Sequence, residues 1–314
     1  MNLFLFLKRI NAFLLTILLS LGLFTSPPTD NPMTSVRDDC EAVLSMALVS
    51  DMHIGSGGLR AKQFALSLED IANAQMPIDV LVVPGDLTEN GTEPSYRNFF
   101  DVMREHNPAP HSVIATGNHD VRTMFNRNRR LFTELLKDYT GVDTQGKLYY
   151  DYEVNGISFI VLGTDKQSLE RAVIGNEQLE WFDLALARAT QEGKPAFVIC
   201  HQPLKNTHGL PDVWPTGDVG KQSDALLEIM SRYDNVFYVS GHLHDCVNET
   251  RVEELQGVHL INVPSVIKMN DEEGYTGKGL GFIMEVFEDE VVLRARDHFK
   301  GSWIDGFEYH FDIV

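Results

Sequence analysis

Five short polar blocks in this 314-residue chain carry side chains that could do chemistry: Asp51-Met52-His53, Gly85-Asp86, Gly117-Asn118-His119-Asp120, His201, and Gly241-His242-Leu243-His244. Each stands where an apolar run stops. Polar groups gathered at strand ends are poor core material and good site material. In open α/β sheets the ligand site lies beyond the carboxyl ends of the strands. Convergence of these strand ends would bring together seven nitrogen and oxygen donors: Asp51, His53, Asp86, Asn118, His201, His242 and His244. Carboxylate, imidazole and amide as a set suit borderline divalent ions such as Mn, Fe, Zn or Co. Seven donors exceed the needs of one four-coordinate ion and fit two ions sharing a carboxylate. Such a pair clamps in-line displacement at phosphorus, and a water bridging it loses a proton near neutral pH.

The elements that would position these blocks follow from the apolar pattern. Ser45 to Val49, Ile78 to Val83, His111 to Thr116, Ala196 to Cys200 and Val236 to Val239 read as buried strands. Between them, Phe64, Leu68, Ile71 and Ala72 recur at helical spacing, as do Tyr96, Phe99, Phe100 and Met103. Residues 122–139 read as a helix carrying Arg122, Arg127, Arg129 and Arg130. Asn155-Gly156 between two apolar runs predicts a hairpin. Asn176 is expected to cap a helix burying Leu179, Phe182 and Leu186, and Leu226, Ile229, Met230 and Tyr233 predict another. The end of the chain is strand-rich: Val258 to Val263, Phe282 to Phe287, Val291 to Arg296 and Phe307 to Ile313. This order predicts one large α/β domain with mixed sheets. Gly117 is expected to let the chain turn sharply as its run ends.

Composition is that of a globular protein, with 43% hydrophobic and 23% charged residues. A formal net charge of −19 excludes nucleic-acid binding through a broad basic surface. That charge is awkward for an anionic substrate unless metal cations offset it locally. Three cysteines make no disulfide framework. Cys200 reads as a buried small hydrophobe, with a Cys200–Cys246 bridge as the minor alternative. Lys8 and Arg9 followed by an apolar run from Ala12 to Phe24 predict a signal peptide or N-terminal membrane anchor over residues 1–26, and an extracytoplasmic location. A buried first helix is the alternative. Residues 27–40 read as a linker, and residues 41–314 as the folded domain.

Taken in order, the blocks resemble the calcineurin-like metallophosphoesterase superfamily, with its pattern D-x-H, GD, GNH[D/E], H and GHxH. Val49-Ser50-Asp51-Met52-His53, Gly85-Asp86-Leu87-Thr88 and Asn176-Glu177-Gln178-Leu179-Glu180-Trp181 are most similar to the bacterial class III cyclic-nucleotide and glycerophosphodiester phosphodiesterases. The resemblance implies a four-layer α/β/β/α sandwich of two mixed sheets, with a dinuclear metal site at the strand ends. It implies hydrolysis of a small phosphoester, more specifically a phosphodiester, by a metal-bridging hydroxide. A phosphomonoesterase or nucleotide pyrophosphatase is the alternative on the same site. It also implies roles for single residues. Asp51, His53 and His244 would hold one metal, Asn118, His201 and His242 the other, and Asp86 would bridge them. His119 would protonate the leaving oxygen or steady the phosphoryl charge, and Asp120 would orient His119 through its other ring nitrogen. Gln202 departs from the pattern, since relatives often carry a second histidine there.

Plainer readings stand beside these. Asp51 or Asp86 alone could cap a helix, and a lone His119 could be structural. His106, His111, His208, His259, His298 and His310 match no motif and read as structural or surface residues. Trp214 and Asp218 could line a substrate pocket or pack their own loop. Arginines 122–130 read as a solvated helix face, with Arg122 best placed to meet a phosphate. A binding scaffold that kept the fold without catalysis would be expected to lose ligands, and none of the seven is lost.

Overall fold

The computed structural model describes residues 31–267 and 274–314. The N-terminal apolar run lies outside the described residues. Among those described, no helix is long and apolar enough to cross a membrane.

The first sheet is nucleated by three short parallel strands, β1 (Leu44–Leu48), β2 (Val80–Val83) and β3 (His111–Ile114). β1 and β2 are buried along their whole length. This is why they read as continuous apolar runs rather than alternating ones. Their crossovers are the helices α1 (Gly58–Ala72) and α2 (Glu93–His106); the short α3 (Asn118–Val121) and the longer α4 (Phe125–Thr140) follow β3.

The second sheet begins with the predicted hairpin, β4 (Tyr150–Val154) and β5 (Ile157–Val161). It continues in parallel through β6 (Ala196–Ile199), β7 (Val236–Ser240) and β9 (Val258–Asn262), and β8 (Val252–Leu255) closes its edge. Its outer helices are α5 (Asn176–Ala189) and α6 (Ser223–Met230). The strand-rich end forms no separate domain. β10 (Leu280–Val286) pairs antiparallel with β1, and β11 (Glu290–Asp297) and β12 (Ser302–Asp312) extend that edge. Each sheet therefore has six strands, in the orders β12-β11-β10-β1-β2-β3 and β4-β5-β6-β7-β9-β8.

Strand alternation sorts side chains into two cores. Phe159, Phe197, Phe237 and Val239 join Leu48, Val82, Phe64 and Phe99 in one cluster. Their neighbours Ile160, Val198 and Tyr238 face the other way, against Phe182, Leu186, Leu226 and Met230. The result is an α/β/β/α sandwich. Gly175, not Asn176, caps α5, and the residue buried on its first turn is Gln178 rather than Leu179. Gln178 Oε1 accepts from the Gly163 N–H at 3.1 Å, and its Nε2 donates to the Gly163 carbonyl at 2.8 Å. Cys200 is a buried free thiol, so the bridge to Cys246 does not form.

Residues 31–37 fall in the stretch read as a linker, yet they are docked on the first sheet. Met33 is 1% exposed. The Ser35 hydroxyl donates to Glu285 at 2.6 Å, and the Thr34 carbonyl accepts from Arg294 at 2.5 Å. The Asn31 carbonyl accepts from Arg296 at 3.0 Å. Arg296 also makes a bidentate pair with Asp70 of α1 at 2.8 and 3.0 Å, and His298 Nδ1 lies 2.8 Å from the same carboxylate. Burial pushes the Asp70 carboxyl up, but His298 and Arg296 outweigh it and hold its pKa below the usual value. A depressed carboxylate stabilises the fold above its unfolded pKa and loses that contribution as pH falls through the folded one. Asp70→Ala is expected to cost about 3–5 kcal/mol at neutral pH, as loss of one partner of a buried pair does. Urea unfolding at pH 7 and at about pH 3 checks this: the gap from wild type should narrow at the lower pH. An equal gap at both would refute the assignment.

Candidate metal centre

Six of the seven predicted donors meet where the carboxyl ends of the two sheets face each other, and Asn118 adjoins them through His119, whose N–H reaches Asp86. Asp51 and His53 follow β1, Asp86 follows β2, and Asn118 opens α3 after β3. His201 follows β6, and His242 and His244 follow β7 of the other sheet. Asp51, His53, Asp86 and His244 form one group of donor atoms, and Asp86, His201 and His242 a second, each within 4.8 Å. Asp86 belongs to both.

Each buried carboxylate divides its two oxygens. Asp51 Oδ2 accepts from the His242 backbone N–H at 3.1 Å, which ties the two sheets together. Asp51 Oδ1 faces His244 Nε2 at 3.0 Å and His53 Nε2 at 3.8 Å. Asp86 Oδ1 accepts from the His119 backbone N–H at 2.9 Å. Its Oδ2 lies 3.5 Å from His53 Nε2 and 3.3 Å from His201 Nε2. That is the position of a shared ligand.

The backbone is bent to this purpose. Asp51, His53, Asp86, His242 and His244 have φ of 58°, 46°, 48°, 74° and 57°. Such left-handed conformations in non-glycine residues cost about 1–3 kcal/mol each and concentrate at functional sites. Among the glycines of these blocks only Gly85 has a positive φ, at 134°. Gly117 is extended, with φ −92°. A Cβ there would collide with the Asp86 carboxylate, and one on Gly241 would meet Ser50 Oγ and Asp51 Oδ2. These two are glycines because the carboxylates need the space.

The donor set fits divalent ions. The His53 and His244 Nε2 atoms face each other at 2.8 Å. Donors around one ion at about 2.0–2.2 Å lie roughly 3 Å apart, as several here do. Asn118 Oδ1 is buried without a hydrogen-bond partner, and Asp51 Oδ1 is met only by imidazole nitrogens. Burial holds His53 near a pKa of about 4 and His242 near about 3, so both present lone pairs at neutral pH. Burial pushes the Asp86 carboxyl up, yet His201 and His53 beside it keep it well below its usual range. Burial alone would depress His201, but Asp86 and Asp51 raise it to about 9.

His119 stands outside both main groups. Its Nδ1 lies 2.9 Å from the Glu89 carbonyl, which can only accept, so Nδ1 carries the hydrogen. Arg122 Nη1 lies 3.0 Å from its Nε2. Asp120 does not orient this ring. Its carboxylate accepts from the N–H groups of Gly117, Leu87 and Thr88 at 2.8, 3.1 and 2.9 Å, and from the Thr88 hydroxyl at 2.8 Å. A side chain three residues into a helical turn reaches back to the cap, so Asp120 ties the second block to the third. Burial and the charge of Asp86 raise its pKa to about 7.

Sequence reasoning missed Glu89. Its carboxylate lies 3.9 Å from both His53 Nδ1 and His119 Nδ1 and pairs with Arg60. Its place three residues after Asp86, on the same loop, was the available signal. Trp214 stacks on His242 at 4.5 Å and 18°, while Asp218 pairs with Arg171 at 3.2 Å. Arg127 and Arg130 face Glu93 and Glu134 at 3.9 and 4.0 Å on the outer surface. Of the remaining histidines, His208 is buried against the Thr250 carbonyl and His310 pairs with Glu290, both structural positions.

Residues 44–246 match the model of the calcineurin-like phosphoesterase family, so the chain belongs to that family of metal-dependent phosphoester hydrolases. It is 24% identical over 64% of its length, and 73% of the other's, to a Fibrobacter succinogenes protein named "probable cyclic nucleotide phosphodiesterase". It is 21% identical to a 3′,5′-cyclic-nucleotide phosphodiesterase of Nostoc sp., over 71% of this chain and 78% of that one. The fold is shared with a dimetal phosphatase from Danio rerio, with a TM-score of 0.59 and 13% identity over 87% of this chain and all of that one.

Because Asp86 and Asp51 hold His201 protonated in the metal-free protein, ion uptake must displace that proton. Calorimetric titration with Mn²⁺ at pH 7.5 in buffers of different ionisation enthalpy should show release of about one proton per chain. The metal should also raise the unfolding midpoint, by about 2.7 kcal/mol of stability at a hundredfold excess over Kd. His201→Ala should lose the proton release. No release from wild type would contradict the assignment.

Proposed function

We propose that this protein is an exported phosphodiesterase that works with two divalent ions. The observation that carries the reading is that donors from both sheets form two groups sharing Asp86, whose Oδ2 lies 3.5 Å from His53 Nε2 and 3.3 Å from His201 Nε2. The names of the relatives from Fibrobacter succinogenes and Nostoc sp. support a diester substrate. Lys8-Arg9 and the apolar run after them support export, as a signal peptide or an anchor.

When bound, two ions would supply an activated water and neutralise phosphoryl charge. Asp51, His53 and His244 would hold one, and Asn118, His201 and His242 the other, with Asp86 between them. The remaining chemistry belongs to His119 and Arg122. With Nδ1–H fixed by the Glu89 carbonyl, Nε2 is the ring atom left to meet the leaving oxygen and to give or take its proton. The Arg122 guanidinium beside it would pair with a non-bridging oxygen. That same guanidinium favours a second reading, a phosphomonoesterase or nucleotide pyrophosphatase, since an extra phosphate charge has a cation waiting.

The test strips the protein with chelator, resupplies Mn, Fe, Zn or Co, and compares bis(p-nitrophenyl) phosphate with p-nitrophenyl phosphate. Metal-dependent cleavage of the diester should dominate. Asp86→Ala should abolish it, and His119→Ala should lower kcat by about 10²–10⁴. A preference for the monoester would install the second reading. No turnover with two ions bound would sink the enzymatic one. Export fails if cell fractionation finds the chain in the cytosol with residues 1–26 intact.

A further inference from the structure

We propose that the loop from Thr164 to Ile174 is a brace for the second metal, with Gln202 and Arg171 as its positioning residues. The proposal rests on the dinuclear reading above.

The loop is pinned at its base. Thr164 Oγ1 accepts from the Val173 N–H at 3.0 Å, and Asp165 Oδ2 accepts from the Gly175 N–H at 2.7 Å and Gln178 Nε2 at 3.0 Å. Its tip then bonds Asn118 directly and reaches His201 and His242 through their neighbours. Asn118 Nδ2 donates to the Leu169 carbonyl at 3.0 Å and to Glu170 Oε2 at 3.3 Å. Both partners accept, so the amide cannot turn over without losing them. Its buried Oδ1 is the atom left for an ion. Next to His201, the buried Gln202 donates from Nε2 to the Glu170 carbonyl at 2.7 Å. The departure from the family pattern is thus spent inward, on the loop. For His242 the support is indirect. Arg171 donates to the Pro215 carbonyl at 3.2 Å and pairs with Asp218, holding the segment whose Trp214 stacks on the imidazole.

The first group has no such dependence. It owns two carboxylates, and Asp51 is locked directly by the His242 N–H. The second group owns no carboxylate beyond the shared Asp86, only two imidazoles and a neutral amide. With less charge to attract an ion, its affinity depends more on how well the donors are held.

Metal-free full-length protein is titrated with Mn²⁺ by calorimetry, with the electron paramagnetic resonance signal of the spin-coupled pair as a second readout. Wild type should take two equivalents. In Gln202→Met and Arg171→Met the second equivalent should weaken by about 10–100-fold, while the first and the metal-free unfolding midpoint stay put. Arg171→Lys, which keeps a cation for Asp218, should recover part of the loss, and Lys166→Ala on the same loop should change nothing. Unchanged affinity for the second equivalent would overturn the brace. So would equal weakening of both together with a lower midpoint, since the loop would then serve folding alone. A wild type that takes a single equivalent would instead overturn the dinuclear reading.

Discussion

Two carboxylates buried side by side set the terms for this structure. Asp51 and Asp86 are 0% and 1% exposed, and both carry charge. Burying an anion without compensation is far more costly than any single contact can offset. Each is met from two directions: a backbone N–H takes one oxygen, and imidazoles face the other. The N–H donors come from blocks far away in sequence, His242 for Asp51 and His119 for Asp86. Satisfying the two charges therefore docks β1 against β7 and β2 against α3. The seam between the sheets and the chemical centre are one feature.

The same demand explains the local backbone. To aim a carboxylate oxygen or a ring nitrogen into one small volume, five donors adopt left-handed conformations that ordinary side chains avoid. At about 1–3 kcal/mol each, the sum is comparable with the whole stability of a typical domain, about 5–15 kcal/mol. Only a rigid surround can hold such residues. Here it is supplied by β1, β2, β6 and β7, all buried along their length, and by Gly117 and Gly241, which let the backbone press against the carboxylates.

Much of this was legible in the sequence. The central strands are buried on both faces, so they appear as uninterrupted apolar runs, and the polar block at each end stands out sharply. The donors were legible because their side chains do the work. What stayed hidden is carried by backbone atoms or by pairing between distant segments. Nothing in the composition of Leu280 to Val286 says that it lies antiparallel to β1. Asp120 looked like a partner for the neighbouring ring because both are side chains; in the fold its partners are mostly backbone N–H groups. The Leu169 and Glu89 carbonyls, which fix an amide and an imidazole, belong to residues whose side chains give no such hint. Residues 31–37 have a linker's composition, yet their carbonyls satisfy buried arginines.

His119 shows how these layers meet. Its backbone N–H belongs to the electrostatics of Asp86, while its ring belongs to the substrate side. The ring sits edge-on to that of His53, with centroids 4.5 Å apart, so it cannot move inward to become an eighth donor without displacing a ligand. The Glu89 carbonyl fixes the hydrogen on Nδ1, and Arg122 faces Nε2. A neutral ring in that tautomer accepts at Nε2, and a protonated one donates there. Either state acts through one atom, at the mouth and next to the shared carboxylate. Rotating the imidazole by half a turn would present the wrong nitrogen and forfeit the carbonyl. The backbone of the second block therefore chooses which proton-transfer atom the third block offers. That coupling requires the two loops to lie side by side, and Asp120, bonded to both, holds them there.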